Sequence, residues 1–127
     1  MYADETDLYI FDETGAVLLQ SARGSGTVIE YPVVADIDND GSAEILVVSQ
    51  YAFLGEDNLF TVQAIRDVED RWIQARRIWN QHAYYVTNVR EDGTIPRVQP
   101  NSWELFNTFR TNIQIENGGL CRPIPVV

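Results

Sequence analysis

The chain has 127 residues and a formal net charge of −10, with 45% hydrophobic and 11% aromatic residues. This size and composition fit a globular domain and exclude a disordered or fibrous chain. The acidity argues against a nucleic-acid partner, which requires a basic footprint. The sequence also lacks the apolar run of about 18 residues that a membrane-spanning helix requires, so no membrane span is predicted.

The negative charge is concentrated in the first half of the chain. Residues 1–60 hold 12 of the 19 acidic residues and only Arg23 as a base, whereas residues 61–127 hold 7 acidic residues and 8 arginines. Such an acidic half suits cation binding, although an acidic surface that only confers solubility is an equally ordinary explanation.

The first 79 residues are dominated by short apolar or alternating runs, separated by turn-forming Gly, Asp and Asn residues. These runs predict β-strands at residues 8–11, 16–20, 27–35, 44–49, 59–66 and 72–79. The turn sequence Asp12–Gly15 joins the first two strands into a hairpin over residues 8–20. The nearly continuous apolar run Glu44–Ser49 is typical of a strand that is buried on both faces.

The composition changes beyond the last predicted strand. Residues 80–88 are rich in amides and aromatic side chains and fit either a short helix or an irregular segment. The apolar spacing within residues 101–110 permits a short amphipathic helix, and residues 113–115 permit a final short strand. The sequence therefore predicts a mostly β fold with a little helix, organised as substructures 1–79 and 80–127 that share one core.

The most informative motif is an acidic loop between two apolar runs, with the sequence Asp36-Ile-Asp38-Asn-Asp40-Gly41-Ser42-Ala-Glu44. Carboxylates at alternating positions of a tight loop can all turn inward, and the glycine permits a reversal of the chain that a side chain would obstruct. Ser42 would add its backbone carbonyl, and Glu44 would close the cage. Ca²⁺ takes about six to eight such oxygen ligands, whereas Mg²⁺ demands a stricter octahedron.

Two alternatives compete with a calcium site of this kind. An EF-hand requires helical flanks and a bidentate acid at the twelfth loop position, but that position is Val47 and the flanks are predicted strands, so the EF-hand is excluded. The other alternative is an ordinary Asp/Asn/Gly turn that binds no cation. Four carboxylates within so short a loop repel one another when no cation is present, which favours the metal site.

The string from Pro32 to Ser49, PVVADIDNDGSAEILVVS, resembles the FG-GAP (VCBS-type) repeat of integrin-like β-propellers and of many exported bacterial proteins. In that family a cation loop links the first two strands of a blade. The segment from Arg77 to Arg110 is similar to the one that closes such repeat arrays in bacterial surface or secreted proteins. The resemblance implies that the ligands are the carbonyl of Ser42 and the side chains of Asp36, Asp38, Asp40 and Glu44.

A propeller closes from about four or more blades of four strands, with repeats of about 40 residues or more. This chain contains a single acidic loop of this type and has room for about one and a half blades. An isolated blade would leave sheet edges and apolar surface uncovered. The resemblance therefore implies a partner, either another protein or additional copies of the same chain, and a glycan is a further candidate.

Three other features have both a functional and a structural explanation. His82, the only histidine, could act as a general base, but no nucleophile motif accompanies it, so a hydrogen-bonded structural role is favoured. Cys121 is the only cysteine, which precludes an internal disulfide and argues against a zinc site. Its thiol is either inert or, in an exported protein, able to pair with a cysteine of another chain. Five aromatic residues could form a platform for sugars, although packing in the core is favoured: Trp72, Trp79, Tyr84, Tyr85 and Trp103.

Together these observations predict a non-enzymatic, calcium-stabilised β module of an exported or cell-surface protein, with a structural, adhesive or assembly role. The alternative is a non-catalytic fragment of a larger secreted enzyme, because no catalytic pair can be named in this sequence.

Overall fold

The computed structural model describes residues 1–26, 30–50, 61–116 and 119–120. These residues form eight short strands and one helical turn, so the predicted mostly β fold with little helix is confirmed. The chain divides into two compact units, which are Met1–Pro32 with Ile45–Ala64 and Val33–Glu44 with Ile65–Val127. The substructures 1–79 and 80–127 stay a prediction.

The first unit begins with an antiparallel sheet of three strands. These are β1 (Tyr2–Ala3), β2 (Asp7–Phe11) and β3 (Val17–Ala22), in the order β1-β2-β3. The turn after β2 is fixed by Asp12, whose Oδ1 accepts hydrogen bonds from the backbone N–H groups of Thr14 at 2.8 Å and Ala16 at 2.9 Å. Gly15 has a φ of +87°, which glycine adopts without strain. The predicted hairpin over residues 8–20 is therefore confirmed.

A second three-stranded sheet consists of β4 (Val33–Ala35), β5 (Glu44–Val48) and β6 (Val62–Ile65), in the order β4-β5-β6. Ile45 and Val47, on one face of β5, are 3% and 0% exposed, but on the other face Leu46 is half-buried and Val48 is 43% exposed. The prediction of a strand buried on both faces is therefore confirmed for one face only. β4 and β6 lie within the predicted strands 27–35 and 59–66. Residues 30–32 do not form the predicted strand, and residues 27–29 and 59–60 lie outside the described residues. The acidic loop joins β4 to β5.

Residues 72–79 do not form the predicted strand. Only Ala75 makes a β-type contact, as part of an isolated antiparallel bridge. The carbonyl of Arg76 instead accepts hydrogen bonds from the Asp36 N–H at 3.3 Å and from the side-chain amide of Asn112 at 2.9 Å. A side-chain amide that takes the place of a neighbouring strand interrupts the ladder, and the local apolar pattern does not reveal it.

The second unit is organised around Arg76, which is 3% exposed. Its guanidinium donates hydrogen bonds to the carbonyls of Val86 at 2.9 Å and Val89 at 3.0 Å, and to Glu91 Oε1 at 2.7 Å. Arg76 Nη1 also donates to the hydroxyl of the fully buried Tyr84 at 3.2 Å. A buried charge with this many partners holds the surrounding irregular backbone in one arrangement.

The predicted aromatic core is confirmed only in part. Tyr84 is fully buried and stacks on Trp79 with ring centroids 4.8 Å apart. Trp103 is 72% exposed, so the prediction that it packs in the core is wrong. It lies on the single-turn helix α1 (Ser102–Leu105), which is shorter than predicted because the backbone becomes extended at Phe106, with φ −142° and ψ 141°.

The remaining described segments are short. β7 (Ile115–Glu116) pairs antiparallel with β8 (Gly119–Leu120) and overlaps the predicted final strand. Residues 80–88 are irregular, which was one of the two predicted alternatives, and His82 is exposed there, whereas Cys121 lies outside the described residues. Among the described residues, no helix is long and apolar enough to cross a membrane.

Candidate metal centre

The acidic loop is folded by hydrogen bonds from its own backbone to its own carboxylates. Asp36 Oδ2 accepts a hydrogen bond from the N–H of Gly41 at 3.2 Å, and Asp40 Oδ1 accepts one from the N–H of Ser42 at 2.7 Å. Asn39 and Gly41 have φ values of +64° and +92°, in the left-handed region that Asn and Gly adopt most easily. The order of Asp, Asn and Gly residues therefore turns the chain back on itself.

This turn brings the three aspartates together. Asp36, Asp38 and Asp40 each offer a carboxylate oxygen, and these oxygens lie within 4.8 Å of one another. Asp36 is 3% exposed, whereas Asp38 and Asp40 face the solvent. Two carboxylates at this separation repel each other by about 1 kcal/mol even at the dielectric constant of water. The cluster therefore costs free energy that a bound cation would offset.

Two carboxylate oxygens at the buried end of the loop have no hydrogen-bond partner among the described residues. They are Asp36 Oδ1 and Glu44 Oε1. Glu44 is 2% exposed, and its Oε2 accepts a hydrogen bond from the N–H of Ile37 at 2.8 Å. Burial raises the pKa of Glu44 above its ordinary value, the bond from Ile37 opposes this shift, and the charges of the neighbouring aspartates add to it. Buried carboxylate oxygens normally have a donor or a metal ion as partner.

The structure brings together three of the five predicted ligand residues. Glu44 begins β5 at the end of the same loop, but it is not part of the cluster of mutually close oxygens. Ser42 is buried, and its hydroxyl donates a hydrogen bond to the carbonyl of Trp72 at 3.3 Å. The ligand roles of Glu44 and of the Ser42 carbonyl stay predictions.

The chemistry of the cluster is that of hard, anionic oxygen donors. Carboxylates and backbone carbonyls are the ligands of Ca²⁺, which accepts about six to eight of them in variable geometry and fills open positions with water. The cluster contains neither a thiolate nor an imidazole, the ligands that zinc favours. The donor set thus fits calcium better than a transition metal.

Arg66 is a further residue of this site, and sequence reasoning missed it. Its Nη1 lies 3.7 Å from Asp38 Oδ2, and the two side chains are 56% and 48% exposed. The two residues are far apart in the sequence, so no local pattern predicts the ion pair. The guanidinium offsets part of the negative charge of the cluster and competes with a cation for Asp38.

No family model matches the chain, and no curated protein matches it. Among solved structures, the chain is similar to the crystal structure of the V. cholerae biofilm matrix protein Bap1, with 30% sequence identity and a TM-score of 0.75. The similarity covers 96% of this chain and 20% of that chain, so this chain spans about one fifth of the length of its structural neighbour. Nearly the whole chain therefore resembles one part of a biofilm matrix protein.

Proposed function

We propose that this chain is a calcium-stabilised β module of an exported or cell-surface protein, with a structural, adhesive or assembly role. The observation that carries the calcium proposal is the aspartate triad beside two buried carboxylate oxygens that have no partner among the described residues. The similarity to part of a biofilm matrix protein supports the extracellular and adhesive role.

In this proposal Ca²⁺ is bound by Asp36, Asp38 and Asp40, and Glu44 and the carbonyl of Ser42 complete the protein ligands. The ion ties the end of β4 to the beginning of β5. Because the unfolded chain does not offer this cage, calcium binding adds to the free energy of unfolding. Sites in extracellular modules have dissociation constants of about 10⁻⁴ to 10⁻³ M, so a site of this kind fills outside the cell.

The finer architecture that we infer is an FG-GAP-type blade region in residues 1–79 with a closing segment in residues 80–127. Its support is the position of the acidic loop between the first two strands of the β4-β5-β6 sheet. A blade of this kind is completed by further protein or by additional copies of the chain. Val17 and Leu18, 53% and 66% exposed on the edge strand β3, offer apolar surface that such a partner can cover.

A calcium titration of the chelator-treated protein tests the metal proposal. Isothermal titration calorimetry and thermal unfolding should both show one saturable site, and Asp38→Asn and Asp40→Asn should each weaken it. Asp92→Asn is the matched control, because Asp92 Oδ1 accepts a hydrogen bond from the Thr94 N–H at 3.0 Å in an exposed turn, a role that the Asn oxygen retains. The proposal is refuted if up to about 10 mM calcium produces neither a heat of binding nor a change in melting temperature.

The assembly role is tested separately by light scattering over a range of protein concentrations, with calcium present. A self-associating module should grow in mass with concentration, and Leu18→Asp on the edge strand should reduce this growth. Val68→Asp is the control, because Val68 is 88% exposed in the second unit. A chain that stays monomeric at all concentrations would contradict self-association and leave a different protein or a glycan as the partner, for which the exposed Trp103 offers a stacking face.

A further inference from the structure

The first sheet has an edge strand that is not protected against pairing with another strand. β3 has β2 on one side and no described strand on the other. It has six residues, which makes it the longest strand among the described residues. The segment from Ala16 to Ala22 contains neither a charged residue nor a proline. Charged residues and proline are what commonly prevents an exposed edge from adding a further strand. β3 therefore has the properties of a strand that accepts a partner.

The backbone of β3 presents hydrogen-bonding groups along this open edge. In an antiparallel pair, successive residues alternate between positions that exchange hydrogen bonds with the partner strand and positions that point away from it. Arg23, directly after β3, points toward the partner strand, because its N–H donates to the carbonyl of Thr6 at 2.8 Å. Ala22 and Gln20 lie one and three residues earlier. Their N–H and C=O groups therefore point away from β2.

Two other contacts in the first unit agree with this direction. The carbonyl of Ala22 accepts a hydrogen bond from the side-chain amide of Gln63 at 3.3 Å, so it faces away from β2. The register pairs Ala22 with Asp7, whose own carbonyl accepts a hydrogen bond from the N–H of Asp4 at 2.9 Å, on the β1 side. Gln63 thus covers one end of the edge, whereas Gln20 is exposed.

The length of β3 restricts what can pair with it. A matching partner is a strand of similar length that has a free side. Among the described residues, only β2, β3 and β5 have five or more residues. β2 lies between β1 and β3, and β5 lies between β4 and β6, so each is already paired on both sides. The strand that fits is β3 of a second copy. Because β3 carries no charge, two such strands approach without placing like charges opposite each other.

We propose that β3 pairs antiparallel with β3 of a second copy of this chain, around a two-fold axis at Gln20. This pairing is one form of the assembly role proposed above and depends on it. The N–H of Gln20 in each copy donates to the Gln20 carbonyl of the other, so the two first sheets become one continuous sheet. The contact uses the same surface of both copies. Val17 and Leu18, which are 53% and 66% exposed, lie along the joined strands.

Hydrogen exchange followed by NMR tests this pairing on the wild-type chain. In dilute, monomeric protein the Gln20 amide should exchange rapidly, because it points away from β2. The amides of Leu19 and Ser21 point toward β2 and should exchange slowly. At concentrations where light scattering shows association, with calcium present, exchange of the Gln20 amide should slow by about tenfold or more. The amides of Leu19 and Ser21 should change little and serve as internal controls.

A pair of variants separates the backbone of Gln20 from its side chain. Gln20→Pro removes an N–H that points away from the sheet, which is where an edge strand tolerates proline. It should weaken association by about tenfold or more, because both central hydrogen bonds are lost. Gln20→Thr changes the side chain, keeps the N–H in a residue that strands favour, and should associate like the wild type. If Gln20→Pro does not fold, the exchange of the wild-type amides decides the question alone.

The outcomes distinguish this pairing from the assembly role in general. The β3 pairing is overturned, and the assembly role stands, if the Gln20 amide stays unprotected in the associated wild type. The same holds if Gln20→Pro associates as strongly as the wild type, or if Gln20→Thr weakens association as much as Gln20→Pro does. A wild-type chain that stays monomeric at all concentrations overturns both the pairing and self-association.

Discussion

Replacing Asp36 by asparagine should change the stability of this protein in opposite directions with and without calcium. The substitution removes one charge and preserves the shape of the side chain. The amide oxygen can still accept the hydrogen bond that Asp36 Oδ2 accepts from the N–H of Gly41 at 3.2 Å. Any change in stability therefore comes from the charge and not from a lost turn.

The structure sets the size of both effects. Asp36 is 3% exposed and lies within 4.8 Å of two other carboxylates. Each repulsion is worth about 1 kcal/mol at the dielectric constant of water, so in chelator Asp36→Asn should stabilise the fold by about 1–2 kcal/mol. With calcium at about 100 times its dissociation constant, the wild-type chain gains about 2.7 kcal/mol that the variant loses for the most part. For a chain of this size that gain corresponds to a rise of roughly 10 °C in melting temperature.

Thermal unfolding followed by circular dichroism, in chelator and in calcium, measures both effects on one sample. The wild type should melt below the variant in chelator and above it in calcium, and Asp92→Asn should behave as the wild type in both. A variant that melts below the wild type in chelator and still shows the full rise with calcium would refute the reasoning. Asp36 would then be a structural carboxylate and not a calcium ligand.

Three further predictions concern the candidate metal centre. Arg66→Gln removes the cation 3.7 Å from Asp38 Oδ2, so calorimetry should show calcium affinity raised by a factor of about three to ten. Gly41→Ala places a side chain at a φ of +92° with no atom within 4 Å of the added carbon; backbone strain alone should lower the free energy of denaturant unfolding by about 1–2 kcal/mol. Gly93→Ala, at a φ of +81°, is the control: it should lower the free energy of unfolding by a similar amount without changing calcium affinity. Burial raises the pKa of Glu44, so its contribution to stability is present below its unfolded-state pKa and lost as pH rises through its folded pKa. In chelator the wild type should therefore lose stability relative to Glu44→Gln over that pH interval, and an unchanged difference would contradict the shift.

Local patterns predicted the β2-β3 hairpin and the folding of the acidic loop. The hairpin of β2 and β3 depends on apolar runs around a turn with Asp12 and Gly15, and all of these signals lie within a few residues of one another. The clustering of the three aspartates has the same origin, because alternating carboxylates and a glycine are enough to fold the loop onto itself. Both features depend only on residues within one short segment, so the sequence of that segment is enough to predict them.

The features that the sequence did not predict depend on residues far apart in the chain. Residues 72–79 have the pattern of a strand, but Asn112 occupies the place of a strand partner and donates to the Arg76 carbonyl at 2.9 Å. The pairing of Arg66 with Asp38 likewise joins distant positions. Trp103 has the side chain of a core residue, and only the packing around it decides that it is exposed.

The buried carboxylates of the acidic loop bear on how stable the isolated chain should be. The second unit buries Asp36 Oδ1 and Glu44 Oε1 without partners among the described residues. Each such atom subtracts from a net stability that is only about 5–15 kcal/mol in an ordinary domain. A calcium ion bound by the loop would satisfy these two oxygens, so calcium should raise the melting temperature of this chain, and Asp36→Asn should remove most of that rise.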